Sequence, residues 1–509
     1  MRCPVLVLAC LALGCSSGIP PGLKYYWNSD PRSLDPALST DVPTGEAVTL
    51  LFDNLTEFDP DGHLVPGLAT AWSPSADGRT WTFHLRPGVT FANGRALDPA
   101  AIDASMVRAL QMANHGGRVW PLLPIDGAEA VVDSGTTALR GLTIVDDTTI
   151  AFTLIEPLNI FPELLAMPVA AIVPTPVGDD FGEHPVGSGP WTLVSWSHDD
   201  LLVFARNDHW WGTRALADTL RVRIIPEVFT QGAEYESGRL SVVEVPGGET
   251  ERWQRLHGTE LQHRTAIRDW YVAINTRRGA LADVRVRQAL NHAVNMPAIL
   301  AQVMHNRGVL AAGSIPPGLA GYDSARARYS YDPALARRLL AAAGHATDLH
   351  LELWRTPRAE FARIAQAIQA DLGRVGVTVD IIERDAATAR AAARKGNTDL
   401  FLSDWFADYP DGEDFTYPLF YSGNAGTGGN YAFLHDPQLD SMLITARTTT
   451  DTAAKSALLR TIDTRVFDLA PWIFCWFPDD LWAERPEVHG WKYPLVITGQ
   501  NWTRVSISR

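Results

Sequence analysis

Twelve residues in the last quarter of the chain combine acidic and aromatic side chains in a way that could support several kinds of chemistry. The stretch DWFADYPDGEDF, from Asp404 to Phe415, carries five carboxylates among four aromatic rings. Such carboxylates could bind a calcium ion, act as an acid pair in glycoside hydrolysis, or lie on a solvated acidic loop. They could also receive a cationic ligand, because rings that exclude water make an unpaired carboxylate costly. All four interpretations are open at this point.

Other signatures of catalysis are weak or missing in the sequence. The HGG at 115–117 resembles part of an esterase oxyanion loop, but no G-x-S-x-G motif accompanies it. H-E-x-x-H, C-x-x-C and Walker motifs do not occur. Pro410 and the neighbouring rings do not suit an open calcium loop, and the 14 histidines are scattered singly. We therefore predict a non-enzymatic protein without metal ligands or cofactors, with a carboxylate-pair glycosidase as the less favoured alternative.

Length and composition predict a folded protein of more than one lobe. With 509 residues the chain exceeds the size of one compact core, so two or three lobes, or one domain with large insertions, are expected. The chain is 46% hydrophobic and 20% charged, and its net charge of −15 is spread without long runs of one sign. This distribution disfavours nucleic acid as a partner.

The first residues have the layout of an export signal. Arg2 precedes an apolar run, Val5–Leu13, which is shorter than a membrane-spanning helix of about 20 residues. The ALGC that ends this region resembles a bacterial lipoprotein cleavage site. We therefore expect residues 1–14 to be a signal peptide and Cys15 to be lipidated, with an ordinary exported protein as the alternative. Beyond Cys15 only Cys475 remains, which excludes an intrachain disulfide framework.

Local patterns in the sequence predict alternating strands and helices. TWTFHL at 80–85 alternates in polarity between two turn signals and predicts a strand. Apolar spacing predicts helices over 283–304, with a break near Pro297, and over 332–344 and 358–376. This succession predicts an α/β fold whose lobes share crossing strands.

Several segments resemble, in order and spacing, those of the extracytoplasmic solute-binding proteins of the dipeptide and oligopeptide ABC importer family. They run from about Tyr25 to the C-terminus and include SLDPALSTD, PVGSGPWTLVSW, FARNDHWWG, YVAINT, DVRVRQALNHAVN and SIPPG. The resemblance implies a periplasmic-binding-protein-like fold with two hinged lobes and an extra inserted domain. It also implies a monomeric receptor in the periplasm or cell envelope that captures small peptides and delivers them to an ABC permease.

The resemblance further implies the domain boundaries. A discontinuous first domain would comprise residues 15–54, 177–270 and 482–509. An inserted second domain would cover residues 55–176, and a third would cover residues 271–481. Some members of the family carry nickel chelates, haem, opines or oligosaccharides, so a non-peptide solute without a free α-ammonium is the principal alternative.

Ligand-binding residues are also implied by the resemblance. Asp408 matches the carboxylate that pairs with the ligand α-ammonium, and Arg355 is expected to meet the ligand carboxylate. Strand-like segments at Ser39–Val42 and Asp404–Phe406 are expected to flank the peptide backbone. The other acids of the run, Asp411, Glu413 and Asp414, are expected to be solvated or capping. The full set of expected binding residues is Asp408, Trp405, Phe406, Tyr409, Asp41, Val42, Arg355 and Trp120.

Overall fold

The computed structural model describes residues 22–346, 349–426 and 429–508, so the predicted signal peptide and Cys15 lie outside the described residues. The strands are β1 Leu23–Trp27, β2 Thr56–Phe58, β3 Leu64–Pro66, β4 Ala69–Pro74, β5 Thr80–Leu85, β6 Leu142–Asp146, β7 Thr149–Thr153, β8 Trp191–Ser197, β9 Leu201–Arg206, β10 Thr219–Ile224, β11 Val242–Glu244, β12 Leu261–Thr265, β13 Arg268–Ile274, β14 Gly308–Leu310, β15 His350–Arg355, β16 Thr378–Glu383, β17 Leu400–Phe406, β18 Trp472–Glu484, β19 Val488–His489 and β20 Ser506–Ile507. The helices are α1 Val42–Leu51, α2 Pro99–Gln111, α3 Ala128–Ser134, α4 Phe161–Leu164, α5 Val228–Glu236, α6 Thr250–His257, α7 Val284–Ala293, α8 Met296–Met304, α9 Pro333–Ala342, α10 Ala359–Arg374, α11 Ala386–Arg394, α12 Tyr417–Phe420, α13 Pro437–Thr448 and α14 Thr452–Leu469.

The described residues form two two-stranded sheets, β2-β3 and β19-β20, and three larger sheets. One has the strand order β1-β10-β9-β8, and a second, antiparallel sheet has the order β4-β5-β7-β6. The largest runs β11-β18-β13-β17-β15-β16, with β12 and β14 also paired to β18. It mixes parallel pairs, such as β15 with β16, with antiparallel pairs. The predicted α/β class is confirmed.

One long strand joins the two halves of the largest sheet. The first part of β18 pairs with β13 and β14, whereas its last part pairs with β11 and β12. Only residues 266 and 267 separate β12 from β13, so a second crossing accompanies the first. Two adjacent crossing segments suit lobes that move about a hinge. The predicted crossing strands are therefore present.

The buried apolar residues form three clusters. The first covers the β1–β10 sheet and includes Trp191, and the second packs α7, α8 and α10 on the largest sheet around Leu290. The third runs from Phe83 on β5 to Leu459 on α14. This third cluster is shared by residues 55–172 and 401–477, so these two parts of the chain pack directly on each other. The domain boundaries themselves remain a prediction.

The predicted bounds of strands and helices agree with the structure where helix caps and apolar periodicity set those bounds. β5 covers the predicted residues, and the predicted helix over 283–304 is interrupted at Val294 and Asn295, between α7 and α8. Asp332 caps α9 through the backbone N–H of Leu335 at 2.8 Å.

The strand expected at Ser39–Val42 is wrong. Ser39 and Asp41 have extended backbone angles, but Val42 is the first residue of α1. The physical reason is local, because the Asp41 carboxylate accepts the N–H of Thr44 and Pro43 fits the first turn of a helix.

Candidate functional site

A cavity of about 150 Å³ lies where four separate parts of the chain meet. Its walls come from the start of α1, from the segment between β3 and β8, from the loop after β17 and from the C-terminal region. The lining residues are Ser39, Thr40, Asp41, Val42, Gly45, Arg118, Trp120, Met167, Pro168, Val169, Ala407, Asp408 and Thr498. No local stretch of sequence builds this cavity, so its shape depends on how the parts dock.

Asp408 places a carboxylate in this cavity. It follows β17 by two residues, and its backbone N–H donates to Asp414 Oδ2 at 3.0 Å. About a quarter of the side chain is exposed, and within the described residues its carboxylate accepts no hydrogen bond. Burial raises the pKa of the carboxyl, and the opposing influence is the guanidinium of Arg118. The nearest atoms of that pair, Arg118 Nη2 and Asp408 Oδ2, are 3.9 Å apart.

The loop after Asp408 folds inward, which contradicts the expectation that its acids are solvated. Glu413 and Asp414 are each only 1% exposed. Asp414 Oδ2 also accepts the indole N–H of Trp405 at 3.1 Å, and Glu413 forms an ion pair with Arg447 at 3.2 Å. These internal partners make burial of both acids tolerable. Burial, and then the neighbouring Asp408, raise the pKa of Asp414 well above its usual range.

Asp411 behaves as expected for a capping residue. Its carboxylate accepts the N–H of Glu413 at 2.7 Å, at the start of the short turn over 412–415. It also pairs with Lys455 on α14 at 2.7 Å. The turn that holds Asp408 is thereby attached to a long helix, and this attachment limits the freedom of the loop.

The opposite wall of the cavity is the start of α1. Asp41 Oδ1 accepts the N–H of Thr44 at 2.9 Å, whereas its Oδ2 is buried without a hydrogen-bond donor among the described residues. Val42 is 45% exposed, although it is apolar and begins a helix. Trp120 lines the same space from the segment between β3 and β8. Asp408, Asp41, Val42 and Trp120, which the sequence analysis placed in one site, therefore lie together.

Four other expected binding residues do not line the cavity. Tyr409 is 2% exposed, and its hydroxyl donates to Glu413 in the core. Trp405 is half-buried and donates to Asp414, and Phe406 faces Arg268, 6.0 Å from ring centroid to guanidinium. Arg355 forms an ion pair with Glu383, which is its neighbour on β16. Their ligand-binding roles remain predictions.

Arg118 is the charged cavity residue that sequence reasoning missed. It lies in GGRVW, two residues before Trp120, but nothing in that stretch indicates an acidic neighbour from the other side of the molecule. The contact with Asp408 arises only from docking. The closeness of Arg118 to Trp120 in sequence was the one available signal.

β17 offers a free backbone edge next to Asp408. It pairs with β13 along its whole length, but with β15 only at Leu400 and Phe401. From Leu402 to Phe406 the registers therefore give a strand partner on one side only, as far as the described residues extend. An unpaired edge of this kind can accept an extended chain through main-chain hydrogen bonds.

Metal ligation and membrane insertion find no support in the described ranges. Over residues 22–346, 349–426 and 429–508, no group of three or more His, Cys, Asp or Glu is placed to hold a metal ion. None of the helices in these ranges has the length and apolar character needed to cross a bilayer.

The fold and the site are those of a solute-binding protein, a class in which lobes joined by crossing strands enclose a ligand. Residues 63–427 match the family model described as bacterial extracellular solute-binding proteins, family 5. The chain belongs to this family, as the sequence segments indicated. Its members are substrate-binding receptors.

Individual relatives cover nearly the whole chain. The dipeptide-binding protein of Escherichia coli K12 is 28% identical over 470 residues, which cover 88% of each protein. The glutathione-binding protein GsiB of Pectobacterium atrosepticum is 29% identical over 456 residues, covering 87% of this chain and 86% of the relative. The periplasmic binding protein DppA of Helicobacter pylori, solved with the peptide STSA, superposes with a TM-score of 0.80 at 24% identity. That alignment covers 96% of this chain and 98% of DppA, and it shows the shared fold.

Proposed function

We propose that this protein is a receptor that captures small peptides in the cavity beside Asp408, without catalysing a reaction. The observation that carries the proposal is the state of the Asp408 carboxylate. It is largely buried, accepts no hydrogen bond from the described residues and faces a cavity. A carboxylate in that position gains from a cation that arrives with its own hydrogen-bond donors, and a peptide α-ammonium is such a group.

The peptide backbone would extend along β17. Residues 402–406 have a free edge immediately before Asp408, so a bound strand could place its first residue at the carboxylate. The extended residues Ser39 and Asp41 approach from the opposite wall. Main-chain recognition of this kind tolerates different peptide sequences. Relatives named for dipeptide and glutathione binding support peptides as the ligand class.

The receptor would act outside the cytoplasm and deliver its ligand to an ABC permease. Its family is described as extracellular, and the amino-terminal sequence resembles a lipoprotein signal. We infer that Cys15 carries the lipid, that this anchor holds the protein at a membrane, and that the protein works as a monomer. Mass spectrometry of the mature amino-terminal peptide tests the anchor, since lipidation adds a defined diacylglyceryl mass to Cys15.

Calorimetric titration of dipeptides into the wild type and an Asp408→Ala variant tests the central claim. We expect the substitution to weaken binding by about 2–5 kcal/mol, because the ligand ammonium would be enclosed without its counter-charge. Asp147→Ala is the matched control, since Asp147 is an exposed aspartate outside the cavity. Near wild-type affinity in the Asp408→Ala protein would exclude the ammonium role. Native mass spectrometry that finds a bound solute without a free amino group would exclude the peptide class.

A further inference from the structure

The guanidinium of Arg118 and the carboxylate of Asp408 face the same cavity without satisfying each other. Their nearest atoms are 3.9 Å apart, which is longer than a hydrogen bond of about 2.7–3.2 Å. Within the described residues, neither side chain has another hydrogen-bond partner. About half of the Arg118 side chain is exposed. Both charged groups therefore keep their hydrogen-bonding capacity for a third molecule.

A second arginine shows what a completed pair looks like in this protein. Arg108 contacts both oxygens of Asp35, at 2.9 and 2.5 Å, in a bidentate arrangement. That pair leaves little capacity for a ligand, because each carboxylate oxygen already has a donor. Arg118 and Asp408 are farther apart than Arg108 and Asp35, and the Arg118 side chain is more exposed than that of Arg108. Arg118 and Asp408 also line the cavity.

Asp41 is the other charged group on the cavity wall, and its Oδ2 has no hydrogen-bond donor among the described residues, so it adds negative charge that favours a ligand ammonium. One oxygen of Asp41 caps α1, whose amino-terminal N–H groups partly offset its charge. The remaining walls are largely apolar, including Val42, Val169 and Met167. Apolar walls lower the local dielectric constant and strengthen the interaction of a ligand with charged side chains.

A ligand that presents only an ammonium would meet Asp408 and a neighbouring guanidinium of the same sign. A ligand with an anion beside its ammonium would satisfy both side chains. In an α-amino acid the amino nitrogen and the carboxyl carbon are only about 2.5 Å apart, as the N–Cα and Cα–C bond lengths require. That separation lets one head group reach two side-chain groups 3.9 Å apart from the cavity side.

We propose that Arg118 and Asp408 together recognise a zwitterionic α-amino-acid head, with Arg118 binding the carboxylate and Asp408 the ammonium. This inference rests on the proposed function and narrows its substrate class. In an ordinary peptide the carboxyl group of the first residue is consumed by the peptide bond. In a peptide joined through the side-chain carboxyl of its first residue, both head groups stay free. Peptides linked through a γ-glutamyl residue are thus the favoured ligand class.

Two isomeric dipeptides test this selectivity at equal mass and net charge. γ-L-glutamyl-L-alanine keeps the zwitterionic head, whereas α-L-glutamyl-L-alanine moves its free carboxylate to the side chain. Calorimetric titration of the full chain should give at least about tenfold tighter binding of the γ-isomer. Arg118→Gln should remove this preference, whereas Arg140→Gln should keep it, because Arg140 forms a surface pair with Asp126. Circular dichroism verifies that each variant is folded, and the exposure of both arginines favours this outcome.

The remaining outcomes separate this inference from the proposed function. Equal affinity for the isomers, or a preference that survives Arg118→Gln, overturns the role of Arg118. Loss of binding in Asp408→Asn in the same series would still uphold the ammonium role. If the wild type binds alanyl-alanine but neither glutamyl isomer, the zwitterion proposal fails alone. If none of the three dipeptides binds, both proposals fail.

Discussion

At the scale of single residues, the protonation of Asp408 controls the proposed binding. Burial raises the pKa of this carboxyl above its ordinary value of 3.8, and Arg118 reduces the shift. Burial and the neighbouring Asp408 also raise the pKa of Asp414, which lies behind it, well above its usual range. Asp408 lines the cavity, so its protonation bears directly on a bound cation.

We expect peptide affinity to fall on acidification, and to begin falling at a higher pH than an ordinary aspartate would allow. The bound ammonium requires an ionised carboxylate, so protons compete with the ligand as the pH decreases through the raised pKa. Titrations between about pH 7 and pH 4 measure this effect, because a peptide amino group stays protonated there. The residual binding of Asp408→Asn should be independent of pH in the same range. A wild-type affinity that is flat over the range would contradict an ammonium–carboxylate contact.

At the scale of elements, α1 combines a structural and a binding role at its first turn. Asp41 caps the helix through Thr44 and also lines the cavity. The side chain of Asp41 thus stabilises the helix, whereas its extended backbone contributes to the wall of the binding cavity. The two purposes can be separated because serine is also a good helix cap but carries no charge.

Asp41→Ala should destabilise the protein by about 1 kcal/mol through loss of the cap and should weaken peptide binding as the first turn frays. Asp41→Ser should retain most of the stability and of the affinity, since it preserves the cap and the main-chain geometry. Urea unfolding and calorimetric titration measure the two effects. If the serine variant is stable but binds as poorly as the alanine variant, the Asp41 carboxylate itself contacts the ligand.

At the scale of the whole molecule, the cavity exists because residues 55–176 dock on the helices after β17. Asn159 donates its side-chain amide to the carbonyl oxygens of Ala446, at 3.1 Å, and of Thr449. Its carbonyl group accepts from Lys455 at 3.4 Å, and Lys455 in turn holds Asp411. This chain of contacts links the docking surface to the loop that presents Asp408.

Asn159→Ala should favour an open arrangement of the lobes and weaken peptide binding by about 1–2 kcal/mol, since side-chain hydrogen bonds of the docked state are lost. Small-angle X-ray scattering of the ligand-free variant should give a larger radius of gyration than the wild type. Saturating peptide should bring the two values together. Asn114→Ala is the control, because the Asn114 amide bonds to Val132 within residues 55–176. Identical scattering and affinity in wild type and Asn159→Ala would show that this contact does not contribute to closure.

Much of the architecture was determined by the sequence alone. Helix bounds at α7 to α10 follow from caps such as Asp283 and Asp332 and from apolar spacing, which depend on neighbours a few residues apart. The acidic and aromatic run at Asp404–Phe415 identified the neighbourhood of the site, and the family segments identified the fold.

Only the tertiary structure decided which side chains meet in the cavity. Arg118 reaches Asp408 through the docking of distant segments, and Glu413 and Asp414 are buried because Arg447 and Trp405 supply partners. Local sequence patterns do not predict the contacts of Arg118 and Arg447, because each one joins residues that are far apart in the chain. Such residues come together only through the register of the sheets and the packing of the lobes. The sequence thus determined the helices and strands and the region of the site, whereas the packing of the lobes determined which charged side chains line the cavity.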